Sequence, residues 1–220
     1  MIDSLSFDEF VLRMKTRLQQ PLPGEEAHRR MTSRPMRQRT SEYLSLRPDY
    51  KKSSVLLLLF PGEEGPKTAL IVRPEYDGVH SGQLALPGGR FEEDKDQSLL
   101  FTALRETEEE IGVRIDESAV LGSLSPLYIP VSNFLVQPFV AAIGQEPQFK
   151  PDQTEVQDVL TVSLAHFLDP SIKMERSIPI SSGVNILAPC YMIGQRILWG
   201  ATAMMMSEVE VLLSEGQGGK

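Results

Sequence analysis

Residues 86–113 read LPGGRFEEDKDQSLLFTALRETEEEIGV, and this stretch predicts both the fold and the chemistry of the chain. Apolar or small side chains recur three or four positions apart in its second half, at Leu100, Ala103, Leu104, Thr107 and Ile111. This spacing predicts a helix over residues 99–111 with one face toward the core. Asp94 or Asp96 is expected to cap the start of the helix, and Gly112 is expected to end it.

Three glutamates of this helix, Glu106, Glu109 and Glu110, are predicted to cluster on one side, away from the apolar stripe. Their charges repel one another, and the nearby C-terminal end of the helix dipole disfavours them further. A solvated acidic face is one interpretation of this pattern. The preceding Pro-Gly-Gly at residues 87–89 favours a second one, because a glycine pair lets the backbone approach a ligand closely. Backbone carbonyls and carboxylates then form an oxygen-only donor set that suits Mg²⁺ or Mn²⁺ beside a diphosphate.

The same residues resemble the signature of the Nudix hydrolase family. That signature is Gly, five residues, Glu, seven residues and then Arg-Glu-U-x-Glu-Glu-x-Gly-U, where U is aliphatic. Residues 105–113, RETEEEIGV, match its second half with Thr107 at one aliphatic position. In the first half, Gln97 stands where Glu is expected, and the gap that follows Gly89 is two residues longer than the signature allows. We therefore predict that a nearby aspartate, Asp94 or Asp96, replaces the missing Glu as the partner of Arg105.

The resemblance implies an α/β fold of the Nudix type, which is an α/β/α sandwich with a mixed β-sheet. The 99–111 helix would cover one face of the sheet, and a C-terminal helix would cover the other. We assign residues 1–53 to an N-terminal helix and basic arm, residues 54–213 to the Nudix hydrolase domain and residues 214–220 to a flexible tail.

The family's chemistry, carried onto this sequence, is the metal-dependent hydrolysis of a nucleoside diphosphate linked to another group. The resemblance implies Mg²⁺ or Mn²⁺ as cofactor, and it implies four metal ligands, namely the Gly88 carbonyl, Glu106, Glu109 and Glu110. One of these glutamates, or Glu155 from a later loop, would accept the proton of the attacking water. Arg105 would orient a ligand carboxylate through paired hydrogen bonds.

The sequence also resembles the coenzyme A pyrophosphatase branch of the family. Gly82, three residues and then Leu-Pro-Gly-Gly follow the additional motif of that branch, in which Phe is usual at the position of Leu86. Arg73 matches the first arginine of the motif, whereas Gly78 stands at the second. The implied substrate is coenzyme A or an acyl derivative, cleaved to 3′,5′-ADP and the phosphopantetheine half. An ADP-ribose or nucleotide-sugar diphosphatase, and a Nudix fold that binds a ligand without turnover, remain alternatives.

Candidate substrate contacts lie in the loops around this motif and after the helix, and we predict them at His80, Gly82, Gln83, Gly89 and Asn133. Residues 132–134 are expected to border a groove for the pantetheine arm. A basic segment at residues 28–39 carries five arginines, Arg29, Arg30, Arg34, Arg37 and Arg39. This segment is either a solvated arm or the source of one or two cations for a substrate phosphate.

The remaining elements follow from local patterns. A capped helix is predicted after Ser6, and a second helix is predicted from Trp199 to Leu213. Predicted strands cover residues 55–60, 68–72, 120–127, 134–143, 154–162, 184–191 and 196–199, and a short helix covers residues 164–168.

The composition is that of a globular protein, with 41% hydrophobic and 24% charged residues in a chain of 220. The net charge of −8 argues against a nucleic-acid partner, because phosphate backbones bind basic surfaces. Cys190 is the only cysteine, so we expect neither an intrachain disulfide nor a zinc cluster. No apolar run is long enough to cross a bilayer. We expect a cytoplasmic protein with a small-molecule, coenzyme A-like substrate and no membrane partner, and we leave open whether it forms a homodimer.

Overall fold

The computed structural model describes residues 5–33, 40–74, 82–180 and 183–215. Within these ranges the helices are α1 (Phe7–Leu18), α2 (Gly24–Arg29), α3 (Thr40–Leu46), α4 (Leu99–Ile111) and α5 (Gly200–Glu215). The strands are β1 (Lys51–Gly62), β2 (Gly65–Val72), β3 (Leu84–Ala85), β4 (Gly88–Arg90), β5 (Val120–Ser123), β6 (Leu127–Ile129), β7 (Phe134–Ala142), β8 (Asp158–Ser163), β9 (Lys173–Pro179), β10 (Asn185–Ile193) and β11 (Arg196–Trp199).

Strand β1 is the centre of a mixed sheet with the strand order β3-β2-β1-β7-β5. It pairs with β2 as an antiparallel hairpin, with Leu59 opposite Thr68, and it runs parallel to β7. The short β4 pairs with the first half of β1, so that Val55 lies opposite Gly88. This pairing brings the glycine pair onto the sheet, beside the end of α4.

The side chains of β1 alternate between two hydrophobic cores because successive residues of a strand point to opposite faces. Leu56, Leu58 and Phe60 pack with α4 on one face. Leu57 and Leu59 pack with α1 and α5 on the other face. The predicted α/β/α sandwich with a mixed sheet is therefore confirmed.

Helix α4 has the bounds that the sequence predicted, but its N-cap differs. Ser98 caps the helix, since its Oγ accepts a hydrogen bond from Phe101 N at 3.1 Å. The expectation that Asp94 or Asp96 caps the helix was wrong, because Asp96 is used elsewhere. Gly112 ends the helix as predicted, with φ of 69° and its N–H donating to the Glu108 carbonyl.

The N-terminal helix α1 packs into the same core as the sheet. Ser6 and Glu9 form a reciprocal capping box at its start. Phe10, Met14 and Leu18 are its buried residues. The short helices α2 and α3 were not predicted, because six or seven residues are too few to show helical periodicity.

Helix α5 is buried along nearly its whole length, and Met204, Met205 and Met206 are core residues as predicted. A second sheet of β9, β10 and β11 packs near it, and the predicted hairpin of β10 and β11 is confirmed. Cys190 is buried in this sheet. The third strand, β9, was not predicted.

Three of the predicted elements differ in detail. The strand predicted over residues 154–162 begins only at Asp158, because residues 153–155 form a turn. The strand predicted over residues 120–127 is interrupted, and β5 and β6 are separate. The predicted helix at residues 164–168 is a 3₁₀ helix capped by Ser163.

Candidate functional site

A cavity of about 890 Å³ lies where β1, β4, α4 and the start of α5 meet. The charged side chains of its lining, which we call the polar end, are Arg73, Arg90, Glu106, Glu110 and Glu155. The apolar part of the lining, which we call the apolar end, includes Met31, Ile129, Val131, Phe134, Ile186, Trp199, Met204 and Met205. One cavity is therefore lined both by carboxylates and cations and by a large apolar surface.

Arg105 is held by a bidentate pair with Asp96. Its Nε lies 2.8 Å from Asp96 Oδ1, and its Nη2 lies 3.0 Å from Asp96 Oδ2. The buried Asp96 carboxylate also accepts hydrogen bonds from Thr102 Oγ1 and from Glu92 N. The prediction that a nearby aspartate replaces the missing signature Glu as the partner of Arg105 is confirmed, and the aspartate is Asp96.

The same guanidinium holds two of the helix glutamates. Arg105 Nη1 lies 2.9 Å from Glu106 Oε1 and 2.8 Å from Glu109 Oε2. Glu106 lines the cavity, whereas the Glu109 side chain is 56% exposed and is not among the cavity-lining residues that the structure describes. Asp96, mainly through its hydrogen bonds, holds the pKa of Arg105 above its ordinary value, so Arg105 remains a fixed cation.

Glu110 points inward and is only 4% exposed, although the helical pattern predicted that it would lie away from the core-facing stripe. Its Oε2 accepts a hydrogen bond of 2.8 Å from Gly88 N. Burial, with smaller contributions from the charges of Glu106 and Glu155, raises the pKa of Glu110 to about 7, against the opposing effects of the Gly88 hydrogen bond and of Arg73. A substantial fraction of this carboxyl group is therefore protonated at neutral pH.

Glu106 lies directly against the backbone of the glycine pair. A side chain at position 89 would overlap the Glu106 carboxylate, which explains why Gly89 suits this position. Burial raises the pKa of Glu106, Arg105 lowers it, and Glu109 and Glu155 raise it. The net shift of this pKa is upward mainly because burial disfavours the charged carboxylate.

Glu155 reaches the site through a loop docked on the C-terminal end of α4. The loop N–H groups of Lys150 and Asp152 donate to the carbonyls of Ile111 and Glu110 at 2.9 and 3.1 Å. These bonds satisfy helix carbonyls that have no partner within the helix. Glu155 is exposed, lines the cavity and lies close enough to raise the pKa of both Glu106 and Glu110.

Two cations of the cavity were not assigned as site residues from the sequence. Arg73 follows β2, and Arg90 ends β4 immediately after the glycine pair. The sequence identifies Arg73 only as a match to the motif of the coenzyme A branch, and the signal for Arg90 is its position next to Gly89. Arg29 and Arg30 of the basic segment are exposed and do not line the cavity, and Arg34, Arg37 and Arg39 lie outside the described residues.

The five predicted substrate contacts fall in different places. Gln83 and Gly89 line the cavity, whereas Gly82 and Asn133 are not among its described lining residues. The Asn133 side chain accepts a hydrogen bond from Tyr128 Oη at 2.7 Å and donates one to the Asp49 carbonyl at 3.2 Å. Its neighbours Ser132 and Phe134 do line the cavity. His80 lies outside the described residues.

The donor set of the polar end fits a divalent cation in its chemistry, because carboxylates with raised pKa values favour a bound positive charge. The side chains are nevertheless engaged with protein partners. Glu106 and Glu109 pair with Arg105, and Glu110 accepts from Gly88 N. No group of three or more His, Cys, Asp or Glu side chains in the described ranges is gathered closely enough to hold a metal ion.

Comparison with known proteins places the chain in a family. A model of the NUDIX domain matches residues 50–178, and the chain belongs to the Nudix family of hydrolases. The crystal structure of a MutT/nudix family protein from Enterococcus faecalis has the same fold, with a TM-score of 0.53 at 19% identity over 80% of this chain and 70% of that one. The family predicted from residues 86–113 is thus confirmed.

Two curated relatives refine the comparison. The mitochondrial coenzyme A diphosphatase NUDT8 of Homo sapiens is 33% identical over 141 residues, which is 63% of this chain and 59% of that protein. The uncharacterized Nudix hydrolase NudL of Pectobacterium atrosepticum is 30% identical over 177 residues, which is 78% of this chain and 88% of that protein. The chain thus spans under two thirds of the human relative. The predicted likeness to the coenzyme A pyrophosphatase branch is confirmed, because the human relative is named as a coenzyme A diphosphatase.

The described residues contain no helix with the length and apolar character that a membrane span requires. The cytoplasmic location stays a prediction, and the human relative is named as mitochondrial.

Proposed function

We propose that this protein is a metal-dependent diphosphatase that hydrolyses the pyrophosphate bond of coenzyme A or its acyl derivatives to 3′,5′-ADP and (acyl-)phosphopantetheine. The observation that carries the proposal is a single cavity whose lining combines carboxylates and arginines with a large apolar surface. A diphosphate needs charged partners, and the pantetheine arm needs a groove. The name of the human relative supports the same substrate.

The residues that would hold Mg²⁺ or Mn²⁺ are Glu106, Glu110 and Glu155 at the polar end of the cavity. The family signature adds Glu109 and the Gly88 carbonyl to this set. When bound, the cation polarises the diphosphate and lowers the pKa of the attacking water.

The protein's own groups would orient the substrate and receive the proton. Arg73 and Arg90 line the same cavity as the carboxylates and would neutralise phosphate oxygens. Arg105, fixed by Asp96, would keep Glu106 in place rather than touch the substrate. Glu155 and the α4 glutamates are the groups placed to accept the proton of the attacking water.

A product screen by reversed-phase chromatography, which separates the two phosphomonoester products from the intact substrate, tests the substrate over coenzyme A, acyl-coenzyme A, ADP-ribose, NADH and nucleotide sugars with Mg²⁺ or Mn²⁺. We expect the highest kcat/KM for coenzyme A or its acyl derivatives. Faster turnover of ADP-ribose or a nucleotide sugar would favour the alternative diphosphatase, since the motif of the coenzyme A branch is incomplete at Gly78 and Leu86. Binding of these compounds without turnover under any metal condition would instead indicate a non-catalytic module.

Substitution of single helix glutamates tests the metal site. We expect Glu110→Gln, and likewise Glu109→Gln, to lower kcat/KM by at least about a hundredfold while the fold is retained, because a charge facing the metal is lost. Glu108→Gln is the matched control, since Glu108 is exposed on the same helix, does not line the cavity and, unlike Glu109, stands at the variable position of the family signature. Mn²⁺ binding, measured by the loss of free Mn²⁺ signal in electron paramagnetic resonance, should weaken in the same two variants. Normal turnover and normal Mn²⁺ binding in both would refute the assignment.

A further inference from the structure

The apolar end of the cavity is built partly by two segments that are distant in sequence. Met31 and Ser33 follow helix α2 of the N-terminal arm, and Met204 and Met205 lie near the start of α5. Helices α2 and α5 pack against each other. The position of α2 relative to α5 therefore sets the shape of this wall, which we call the far wall.

The buried side chains of His28 on α2 and Glu208 on α5 form a polar contact between these two helices, which we call the node. His28 Nε2 lies 3.0 Å from Glu208 Oε2, and both side chains are buried, at 2% and 0% exposure. Glu208 Oε1 also accepts hydrogen bonds from Ser125 Oγ at 2.7 Å and from Gly24 N at 3.2 Å. One carboxylate thus ties α5 to both ends of α2 and to the loop between β5 and β6.

The node lies one helical turn from the far wall on each of its two helices. His28 precedes Met31 by three residues, and Glu208 follows Met204 by four. Positions three or four apart lie on the same face of a helical segment. A further hydrogen bond, from Ser207 Oγ to the Ala27 carbonyl at 2.6 Å, reinforces this contact. A shift of α2 at the node would therefore be transmitted to Met31.

A buried, hydrogen-bonded polar contact is not required for stability, because well-packed apolar residues of similar volume often stabilise a core as much or more. The specific value of the node is that it fixes one placement of α2 on α5. His28 Nδ1 is buried without a hydrogen-bond partner in the described part of the chain. This placement of α2 therefore satisfies only one of the two ring nitrogens of His28.

We propose that Glu208 and His28 are positioning residues that hold α2 in register on α5 and thereby set the affinity of the far wall for the group attached beyond the diphosphate. The choice of ligand rests on the proposed function. The role of the node itself does not, because it is measurable as binding without turnover.

The test uses Trp199, which is the only tryptophan of the chain and lines the cavity. Its emission is titrated in the metal-free, full-length protein with coenzyme A and with 3′,5′-ADP, and in parallel with ADP-ribose and AMP. Each pair compares a full ligand with the nucleotide half alone. We expect Glu208→Gln and His28→Gln to weaken binding of the full ligand about tenfold and binding of its nucleotide half less than twofold.

Glu215→Gln is the matched control. Glu215 lies on the same helix and pairs with Arg17 of α1 at the surface, away from the cavity. Far-UV circular dichroism at the assay temperature verifies that each variant is folded, and Glu208→Gln keeps a side chain of the same size that still accepts from Ser125. We expect the control to bind every ligand like the wild type.

With Mg²⁺ present, the two node variants should raise KM about tenfold with kcat within twofold, a split that general loss of folded protein would not produce. Equal weakening of the full ligand and its nucleotide half, or no weakening of either, would overturn the proposal. If the wild type binds a ligand but hydrolyses none, the proposed function fails, while the binding titration still decides the role of the node.

Discussion

Glu109 and Glu110 are neighbours in sequence with opposite environments, and this contrast shapes the expected chemistry. Glu110 is buried against Gly88 N, whereas Glu109 is exposed and pairs with Arg105. A step of one residue turns a helix by about 100°, which is enough to move a side chain from the sheet to solvent. Because the pKa of the buried Glu110 is raised, its proton is linked to folding.

The raised pKa of Glu110 makes the metal-free protein less stable as pH rises. The folded chain retains a proton, up to a pKa of about 7, that the unfolded chain releases near pH 4.5. The stabilisation is thus complete below about pH 4.5 and is lost as pH rises through about 7. We expect a loss on the order of 3 kcal/mol in the free energy of unfolding across this window.

Urea unfolding of the metal-free protein from pH 4.5 to pH 8 measures this loss. Glu110→Gln should remove most of the slope, and Glu108→Gln should leave it unchanged. If the free energy of unfolding of Glu110→Gln still falls with pH as steeply as that of the wild type, the linked proton belongs to another group.

At the scale of elements, the C-terminal end of α4 positions the loop that carries Glu155. Gly112 adopts φ of 69°, and a Cβ atom there would lie 2.8 Å from the Lys150 carbonyl oxygen. Lys150 and Asp152 are bonded to the last carbonyls of the helix. The end of the helix and the placement of Glu155 are therefore one structural feature.

Gly112→Ala and Gly194→Ala form a matched pair that isolates this feature. Both glycines have left-handed φ, but a Cβ atom at Gly194 meets nothing within 4 Å. We expect Gly194→Ala to lower the free energy of unfolding by about 1–2 kcal/mol and to leave turnover unchanged. Gly112→Ala should lower it by at least about 1 kcal/mol more because of the overlap. Its kcat should fall on the order of tenfold or more, because Glu155 is displaced.

Denaturant unfolding and steady-state rates of the two variants test whether the end of α4 positions the loop that carries Glu155. Equal effects of both substitutions on the rate would show that loop 150–155 does not position the site.

At the scale of the whole molecule, α1 is an integral part of the core beside the main sheet. Phe10, Met14 and Leu18 belong to the same buried cluster as Leu57 and the α5 methionines. The second sheet packs near α5 as well, so this helix has almost no solvent face. A helix that is buried around its circumference is stable only when neighbours cover its apolar sides and supply partners for its buried polar groups, such as Glu208.

Phe10→Ala is therefore expected to destabilise the entire fold. We expect a loss of about 3–5 kcal/mol in the free energy of unfolding, from the lost transfer energy and the cavity left behind. Leu12→Ala is the control, because Leu12 lies on the same helix and is 67% exposed, and its effect should stay within about 0.5 kcal/mol. Chemical unfolding followed by both circular dichroism and Trp199 emission should give coincident transitions in both variants. A separate early transition in Phe10→Ala would mean that α1 unfolds independently of the sheet.

The sequence by itself determined the features that depend on nearby residues. The bounds of α4, the capping role of Ser6, the end at Gly112 and the aspartate partner of Arg105 all rest on contacts within about ten positions. Side chains three or four apart share a helix face whatever the rest of the chain does, and a loop of a few residues cannot carry Asp96 far from Arg105. The family followed from the same short stretch.

Only the tertiary structure decided which of these side chains meet in one site. The burial of Glu110 depends on β4, which pairs with β1, and the arrival of Glu155 depends on a loop that docks on α4. The far wall depends on the contact of α2 with α5, and its node joins His28 to Glu208 across most of the chain. Sequence periodicity gives the direction of a side chain within its own element but not the neighbour that it faces, because that neighbour is chosen by how the apolar faces of all the elements pack together.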